Sequence, residues 1–425
     1  MESRKLRFGV NYVPSKNWAY SWVDWDSQSI KNDLQAIASL GMDHIRIHCI
    51  WSIIQPNANY VSEAVLDRLY ELLEMADACE LDVEITVLDG WLCGYCDYPS
   101  YLYQVPFGKK RNMFTDPEVI KAEKWVFTKI AERCGDHPRF MGFDLGNEIN
   151  ILLDSDMDNN CTIEEGDRWI NEMFDNCEKI SPDKCHVIGV DHRPWFHDVS
   201  FSRKELSQTG AATSVHTWIE FTGAREIYGN AMSTGCLHLV EYCIELAKAY
   251  NRTEDRLIWI EEFGATPEWM PESQIDAFAE KTIRNAASCG NVWGFTWWCS
   301  HEIDRKYAGF NPLEYSMGLM DIHNNVKPIG KKIKQLIKTL SDNPVEIIER
   351  SVALVLPDDL FSEQPSKPVS PDCSGSPDSP GWLLAKPFMQ LIDEGIRPAI
   401  VLKSRANDKN YLESRGIKEL RYLDN

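Results

Sequence analysis

Two apolar stretches that each stop at a glutamate decide the fold: Phe140-Met-Gly-Phe-Asp-Leu-Gly-Asn-Glu148 and Leu257-Ile-Trp-Ile-Glu-Glu262-Phe-Gly264. Short runs rich in Phe, Ile, Leu and Trp are typical of buried strands, and a polar residue that ends such a run is carried to the rim of the sheet. In a closed α/β barrel, the C-terminal rim holds the functional groups. The two stretches therefore predict a parallel barrel that presents two carboxylates at one end.

Strand and helix patterns alternate along most of the chain. The segment between Glu148 and Glu262 has room for three strand-plus-helix units, which makes the two stretches the fourth and seventh strands. Eight strands are predicted at 6–13, 44–50, 82–88, 140–148, 185–190, 212–216, 257–262 and 291–298. Helices are predicted at 26–41, 62–79, 116–135, 163–180, 237–250 and 272–289. This order predicts a (β/α)8 TIM barrel of the α/β class over residues 1–340.

The character of the sequence changes after a last barrel helix at 331–340. Residues 352–356 and 399–402 read as strands and 383–394 as a helix, which predicts a small C-terminal α/β accessory unit over 341–425. The Pro/Ser-rich segment at about 363–381 cannot form regular structure. An oligomerisation surface, giving a homo-oligomer, or an active-site lid is the role expected for this unit.

Composition excludes several classes of function. A net charge of −21 opposes binding to nucleic acid or to an anionic membrane surface, whereas a neutral ligand is not repelled. No segment approaches the roughly 18 apolar residues of a membrane span, and the N-terminal residues lack the apolar core of a signal peptide. The thirteen cysteines, including the Cys93/Cys96 pair, are read as reduced thiols. These features predict a cytoplasmic protein.

The strand-end motifs resemble family 5 of the clan A glycoside hydrolases over about residues 6–340. In that family an Asn-Glu pair ends the fourth strand and Glu-Phe-Gly ends the seventh, as Asn147-Glu148 and Glu262-Phe-Gly264 do. The resemblance implies retaining hydrolysis, with Glu148 as general acid/base and Glu262 as nucleophile, about 5 to 5.5 Å apart. Because neighbouring strand residues face opposite ways, only one of Glu261 and Glu262 can point to the rim centre, and the resemblance implies that it is Glu262.

The resemblance also implies roles for other strand-end residues. Arg46 is expected to keep the nucleophile ionised, although a buried ion pair within the barrel would explain it equally well. Asn147 is expected to bind the 2-hydroxyl of the reacting sugar. His216 matches the histidine of the sixth strand, with a satisfied core histidine as the alternative. Trp298 is expected to stack on the sugar, with Trp297 as the alternative if the strand register differs.

Two positions depart from the family pattern. Trp218 stands where a tyrosine usually follows the histidine by two residues, so a hydroxyl contact to the nucleophile is missing or supplied elsewhere. Asp89 stands where many members have a histidine and is expected to bind a sugar hydroxyl. Asp154 to Glu165 resembles a calcium loop but lacks its glycine, so a helix-capping box from Thr162 to Glu165 is favoured. No metal or cofactor is expected.

The substrate is the most specific of these expectations. The resemblance implies exo-hydrolysis of terminal β-linked mannose from short oligosaccharides such as Man-β-1,4-GlcNAc of N-glycan cores. A β-glucosidase or β-galactosidase is the first alternative, and an endo-β-mannanase or endo-glucanase the second. A barrel that binds carbohydrate without turnover belongs to a different class, which the presence of both glutamates disfavours.

Overall fold

Seven parallel strands curl into the wall of the predicted barrel. The computed structural model describes residues 5–103, 109–154, 156–197, 201–361 and 377–423. Within these residues the barrel strands are Arg7–Asn11, His44–Ile50, Asp82–Asp89, Phe140–Asp144, Thr213–Thr217, Ile258–Phe263 and Val292–Trp297. The sheet begins at the 140–144 strand, passes through the 7–11 strand at its centre and ends at the 213–217 strand. The α/β barrel prediction is confirmed.

The predicted fifth strand, 185–190, is wrong as a regular strand but right in position. It fills the gap between the two ends of the sheet, joined to one end by a single parallel bridge. Backbone hydrogen bonds hold it to the 140–144 strand, from the Val187 N–H to the Phe143 carbonyl (2.9 Å) and from the Leu145 N–H to the Val187 carbonyl (3.0 Å). Side chains complete this edge: the Phe143 N–H donates to the His186 ring (3.1 Å) and the Gly189 N–H to the Asp144 carboxylate (2.7 Å). Backbone and side-chain hydrogen bonds together therefore close the barrel at this position.

Helices cover the outside of the barrel and begin where the sequence predicts. Aspartate, serine and threonine side chains cap four of them by accepting backbone N–H hydrogen bonds. The capping box predicted between Thr162 and Glu165 is present. The main barrel helices are Ser27–Ser39, Glu63–Asp77, Pro117–Cys134, Ile163–Ile180, Leu239–Tyr250, Glu272–Ala287 and Pro328–Asp342. Among the described residues, no helix is both long and apolar enough to cross a membrane.

The C-terminal residues form a second, smaller parallel sheet. Its strands are Val352–Leu356, Ala399–Leu402 and Glu419–Tyr422, accompanied by helices Pro380–Asp393 and Lys409–Ser414. The last strand and the last helix were not predicted. Most of the Pro/Ser-rich segment lies outside the described residues. Ala353 faces a small core of its own, whereas Leu354 and Leu356 pack into the main core. A domain boundary near residue 340 stays a prediction.

Buried ion pairs join this smaller sheet to the barrel. Glu241 and Glu245 lie on the helix Leu239–Tyr250 and are fully buried. Arg350 contacts Glu241 (2.7 Å) and Glu245 (3.3 Å). Arg397 makes a bidentate pair with Glu241, and Arg415 lies 3.0 Å from Glu245. Burial disfavours the ionised Glu241, but its hydrogen bond with His238 and the adjacent arginines outweigh burial and lower its pKa to about 2. Glu241 is therefore ionised at neutral pH.

Replacing Glu241 with Gln should lower the unfolding free energy at pH 7 by about 3 kcal/mol. A carboxyl whose folded pKa is depressed stabilises the protein above its unfolded pKa and loses that effect as pH falls through the folded value. The difference from wild type should therefore shrink below about pH 4.5, toward pH 2. Urea unfolding of both proteins between pH 7 and low pH measures this difference in unfolding free energy. Glu349→Gln, which breaks an exposed pair with Lys418, is the control and should leave stability unchanged; equal losses in both variants would contradict the assignment.

Candidate active site

The two predicted glutamates meet at the C-terminal rim. A carboxylate oxygen of Glu148, one of Glu262 and a ring nitrogen of His216 all lie within 4.8 Å of one another. Both glutamates line a cavity of about 530 Å³, which lies within the ~300 to 1,000 Å³ typical of small-ligand sites. The strand-end pattern thus places two carboxylates together in one cleft.

The backbone at Glu148 is unusual for a residue with a side chain. Its φ of 43° lies in the left-handed region, which costs a non-glycine residue about 1 kcal/mol or more. The turn follows the strand Phe140–Asp144 directly and leads into the helix Ile149–Asp154. It holds the carboxylate between Trp91 Nε1 (3.2 Å) and His216 Nδ1 (3.1 Å).

Glu261 and Glu262 differ in their access to the cavity. Both carboxylates contact Arg46 (3.2 and 3.5 Å) and His216 (3.3 and 3.2 Å), and the pairing register of their strand shifts between Ile260 and Phe263. Glu262 lines the cavity, whereas Glu261 is fully buried and accepts a hydrogen bond from Ser214. Glu262 is therefore the member of the pair that a ligand can reach.

A fully buried guanidinium organises the carboxylates. Arg46 donates to Asp144 (2.7 Å) and to the side-chain oxygen of Asn147 (2.9 Å). It also lies 3.2 Å from Glu261 and 3.5 Å from Glu262. Burial disfavours its charge, but these carboxylates outweigh burial and raise the pKa of Arg46. Arg46 is therefore both part of a buried ion-pair network and a contact of Glu262, as the two alternative interpretations of it describe.

His216 bridges both glutamates and carries a proton. One ring nitrogen lies 3.1 Å from Glu148 and 3.2 Å from Glu262, and the other lies 3.3 Å from Glu261. Burial opposes the charge on the imidazole, but the attraction of Glu262 and the hydrogen bonds to Glu148 and Glu261 raise its pKa to about 10. The three ligand atoms have a spacing that could hold a metal ion, and binding one would require the ring to release a proton.

Burial opposes ionisation of Glu262. It raises the pKa of Glu262 to about 8, and repulsion from Glu148 adds to this rise, whereas attraction to His216 and Arg46 lowers the pKa. Arg46, at 3.5 Å, and His216, at 3.2 Å, are the cations that favour the ionised form of Glu262.

Trp298 and Trp297 are the two candidates for the tryptophan at the cavity, and Trp298 is the one that lines it. Its indole N–H donates to Glu314 (3.3 Å). Trp297 packs on Phe263 and donates to a backbone carbonyl, away from the cavity. Trp218, the departure from the family tyrosine, also lines the cavity. Of the two tryptophans, the structure places Trp298 at the cavity, directly after the strand, and its stacking on a sugar stays a prediction.

Asp89 is placed differently from its prediction. It is buried and accepts a hydrogen bond from the His48 ring (2.9 Å), and it is not part of the cavity wall that the described residues form. Burial raises its pKa, with Asp144 and Glu262 adding repulsion. This placement argues against a contact between Asp89 and a sugar hydroxyl, because the carboxylate is buried beside His48 and does not line the cavity.

Sequence reasoning missed several cavity residues. Glu314 lies in the one-turn 3-10 helix Pro312–Tyr315, which is too short for a periodic pattern to mark it; burial raises its pKa to about 7. Asp191, His192 and Arg193 follow the predicted fifth strand, so the strand-end rule applied there would have found them. Cys93 also lines the cavity as a free thiol. The missed residues thus lie outside the long periodic helices and strands.

The sequence model of the family described as Cellulase (glycosyl hydrolase family 5) matches residues 8–301. Among solved structures, a GH5_18 protein from Streptomyces cattleya in complex with Manb1-4GlcNAc is 33% identical, with a TM-score of 0.89 and coverage of 98% of this chain and 99% of that one. A GH5_18 protein from Bifidobacterium longum subsp. infantis is 30% identical, with a TM-score of 0.89 and coverage of 99% and 97%.

A curated relative is more distant. Cellodextrinase A from Ruminococcus flavefaciens is 23% identical over 209 residues, which make up 47% of this chain and 55% of the relative. The match therefore spans about half the length of that protein.

Replacing His216 with Asn should move the acidic limb of the pH profile of kcat/KM to higher pH, by about one unit or more. The change removes a cation that attracts the charge of Glu262, so the pKa of Glu262 should rise further above its value of about 8. Initial rates on an aryl β-glycoside across pH measure the limb. His48→Asn is the control, since burial holds the pKa of His48 well below its usual value and the ring is neutral. An unshifted limb in the His216 variant would refute the electrostatic role.

Proposed function

The chain belongs to glycosyl hydrolase family 5, and from that premise we propose that it is a retaining exo-β-mannosidase acting on short oligosaccharides such as Man-β-1,4-GlcNAc. The observation that carries the proposal is the close approach of Glu148 and Glu262, within 4.8 Å, inside a cavity of limited size. The similarity to GH5_18 proteins, one of them in complex with Manb1-4GlcNAc, supports the choice of sugar.

The separation of the carboxylates supports retention of configuration. Retaining enzymes place the two groups about 5 to 5.5 Å apart, whereas inverting enzymes need about 6.5 to 9.5 Å so that a water molecule fits between carboxylate and sugar. The Glu148 and Glu262 oxygens are too close to leave that room.

Two displacements account for the reaction. Glu262 attacks the anomeric carbon while Glu148 gives its proton to the departing glycosidic oxygen, so the C–O bond to the leaving group breaks and a glycosyl ester forms. Glu148, now a carboxylate, takes a proton from water, whose oxygen attacks the anomeric carbon and releases Glu262. Arg46 and His216 stabilise the negative charge on Glu262 before attack and after release.

Residues around the pair are suited to hold one sugar ring. Trp298 offers a flat apolar face to the C–H groups of the sugar, fixed by its hydrogen bond to Glu314. Asn147 is held by Arg46 and by its own donation to the Trp91 carbonyl (2.7 Å). Its amide retains a second N–H, which is the group proposed to bind the 2-hydroxyl.

Loop contacts at the mouth of the cavity support exo-action. The hairpin of Trp91–Leu92 and Tyr95–Cys96 reaches the loop after the last barrel strand, where the Tyr95 hydroxyl donates to the Ala308 carbonyl (3.4 Å). Gly309 lies so close that an added Cβ would stand 2.7 Å from that hydroxyl. This contact closes one side of the cleft, so a polymer chain could not pass through on that side.

The catalytic assignment predicts opposite products of azide rescue. Glu262→Ala and Glu148→Ala should each lose about three or more orders of magnitude in kcat. Azide should restore turnover of Glu262→Ala as the α-glycosyl azide and of Glu148→Ala as the β-glycosyl azide, because it replaces the nucleophile in one variant and water in the other. NMR identifies the anomers. Wild-type kcat in both variants would refute the assignment.

The substrate assignment predicts that β-mannose is the anomer released first. NMR of the product at early times identifies this anomer. It also predicts a preference for aryl β-mannoside over β-glucoside and β-galactoside by about 100-fold or more in kcat/KM, because a site that pairs an axial hydroxyl leaves polar groups unpaired with the wrong epimer. Man-β-1,4-GlcNAc should be cleaved and a long mannan left intact inside the chain. Initial α-mannose would contradict retention, and preference for the glucoside would favour the β-glucosidase alternative.

A further inference from the structure

The catalytic pair divides the rim of the barrel into two arcs. Trp298 and the 91–96 hairpin follow strands on one arc, which also contains the 7–11 and 44–50 strands. The other arc holds the fifth position and the 213–217 strand, which lie between the two catalytic strands. If the reacting sugar stacks on Trp298, its leaving group extends over this second arc.

Two segments of the second arc form the remaining cavity wall. The first carries Asp191, His192 and Arg193 and leads into the helix Arg193–Phe196. The second follows the 213–217 strand and contributes Trp218, Glu220, Phe221 and Glu226. Both are short irregular segments, so their shape depends on what supports them from outside.

The C-terminal helix Pro380–Asp393 provides that support through Trp382. This side chain is fully buried, and its indole N–H donates to the Thr222 carbonyl (2.7 Å). The hydroxyl of Thr222 donates in turn to the Trp218 carbonyl (2.8 Å). Two hydrogen bonds therefore connect the C-terminal helix to a tryptophan that lines the cavity.

Trp382 also contacts the first segment. Its ring centroid lies 5.2 Å from that of Phe196. It also lies 6.0 Å from the ring centroid of Tyr228, in the short helix that ends the second segment. At Gly381 an added Cβ would stand 2.4 Å from the Phe196 Cα, so the helix rests directly on the backbone next to the His192 and Arg193 wall. The Gly381 carbonyl accepts a hydrogen bond from Tyr242 (2.8 Å), which fixes this end of the helix to the barrel.

We propose that the C-terminal helix is a structural part of the active site, in which Trp382 positions the two loops that contact the leaving-group sugar. Trp382 is a positioning residue, since it acts through Thr222 and Phe196. The inference rests on the proposed function and adds to it which part of the chain determines recognition of the leaving group. It gives the C-terminal residues a role that needs neither a second copy of the chain nor a moving lid.

The test compares a substrate with a leaving-group sugar and a reagent without one. Trp382→Leu should raise KM for Man-β-1,4-GlcNAc by about tenfold or more, because displaced loops misplace the leaving-group sugar. Inactivation by 2-deoxy-2-fluoro-β-mannosyl fluoride, whose leaving group is a single fluorine, should stay within about twofold of wild type on the same reasoning. Trp382→Phe keeps an aromatic ring but removes the N–H, and should raise KM by about threefold.

Phe388→Leu is the matched control, because it removes buried aromatic volume from the same helix where it packs on Tyr242. It should leave KM close to wild type. The inference is overturned if KM is unchanged in Trp382→Leu, if inactivation falls as much as disaccharide hydrolysis, or if Phe388→Leu raises KM equally. A wild-type protein that prefers cellobiose to Man-β-1,4-GlcNAc contradicts the proposed function instead, and is thereby distinguished from failure of this inference.

Discussion

The buried guanidinium of Arg46 is the interaction on which the rest of the site depends. A charge with no exposed surface is stable only when carboxylates and hydrogen-bond acceptors surround it. Asp144, Glu261 and Glu262 supply the carboxylates, and Asn147 an acceptor oxygen. Loss of the cation would leave several carboxylates buried in mutual repulsion, so the arginine maintains the structure and the ionisation of the site together.

The same network closes the barrel. Asp144 accepts from Arg46 with one carboxylate oxygen and from the Gly189 N–H with the other. At Gly189 an added Cβ would stand 2.8 Å from an Arg46 nitrogen, so only a glycine lets the fifth segment approach the buried cation. The charged centre and the barrel wall are therefore linked, because the aspartate that pairs with the arginine also anchors the fifth segment, in addition to the backbone hydrogen bonds of that segment.

The distinction between local sequence patterns and contacts between distant residues explains which parts of the fold and the site could be predicted from the sequence. Apolar runs ending in acids pointed to Glu148 and Glu262, because this signal is local, whereas the choice of Glu262 over Glu261 came from the resemblance to the family motif. The irregular geometry of the fifth segment could not be predicted, since side chains of distant residues complete its hydrogen bonding. Glu314 was missed because the one-turn helix Pro312–Tyr315 is too short to show a periodic pattern.

Docking of the C-terminal residues was hidden for a related reason. Arg350, Arg397 and Arg415 look like ordinary surface charges in the sequence, as do Glu241 and Glu245. Only the fold brings them together, and pairing is what makes their burial tolerable. The sequence could therefore predict two of the three strands of the smaller sheet but not the barrel helix with which its arginines pair.

Charge also limits what the cavity can accept. Glu148, Glu262 and Glu314 line it, along with Asp191 and Glu220, and burial keeps protons on part of this set by raising the pKa of Glu262 and Glu314. A sugar bearing a phosphate or carboxylate would add negative charge where the protein already neutralises its own with protons, whereas an uncharged sugar adds none. The lining thus favours neutral sugars.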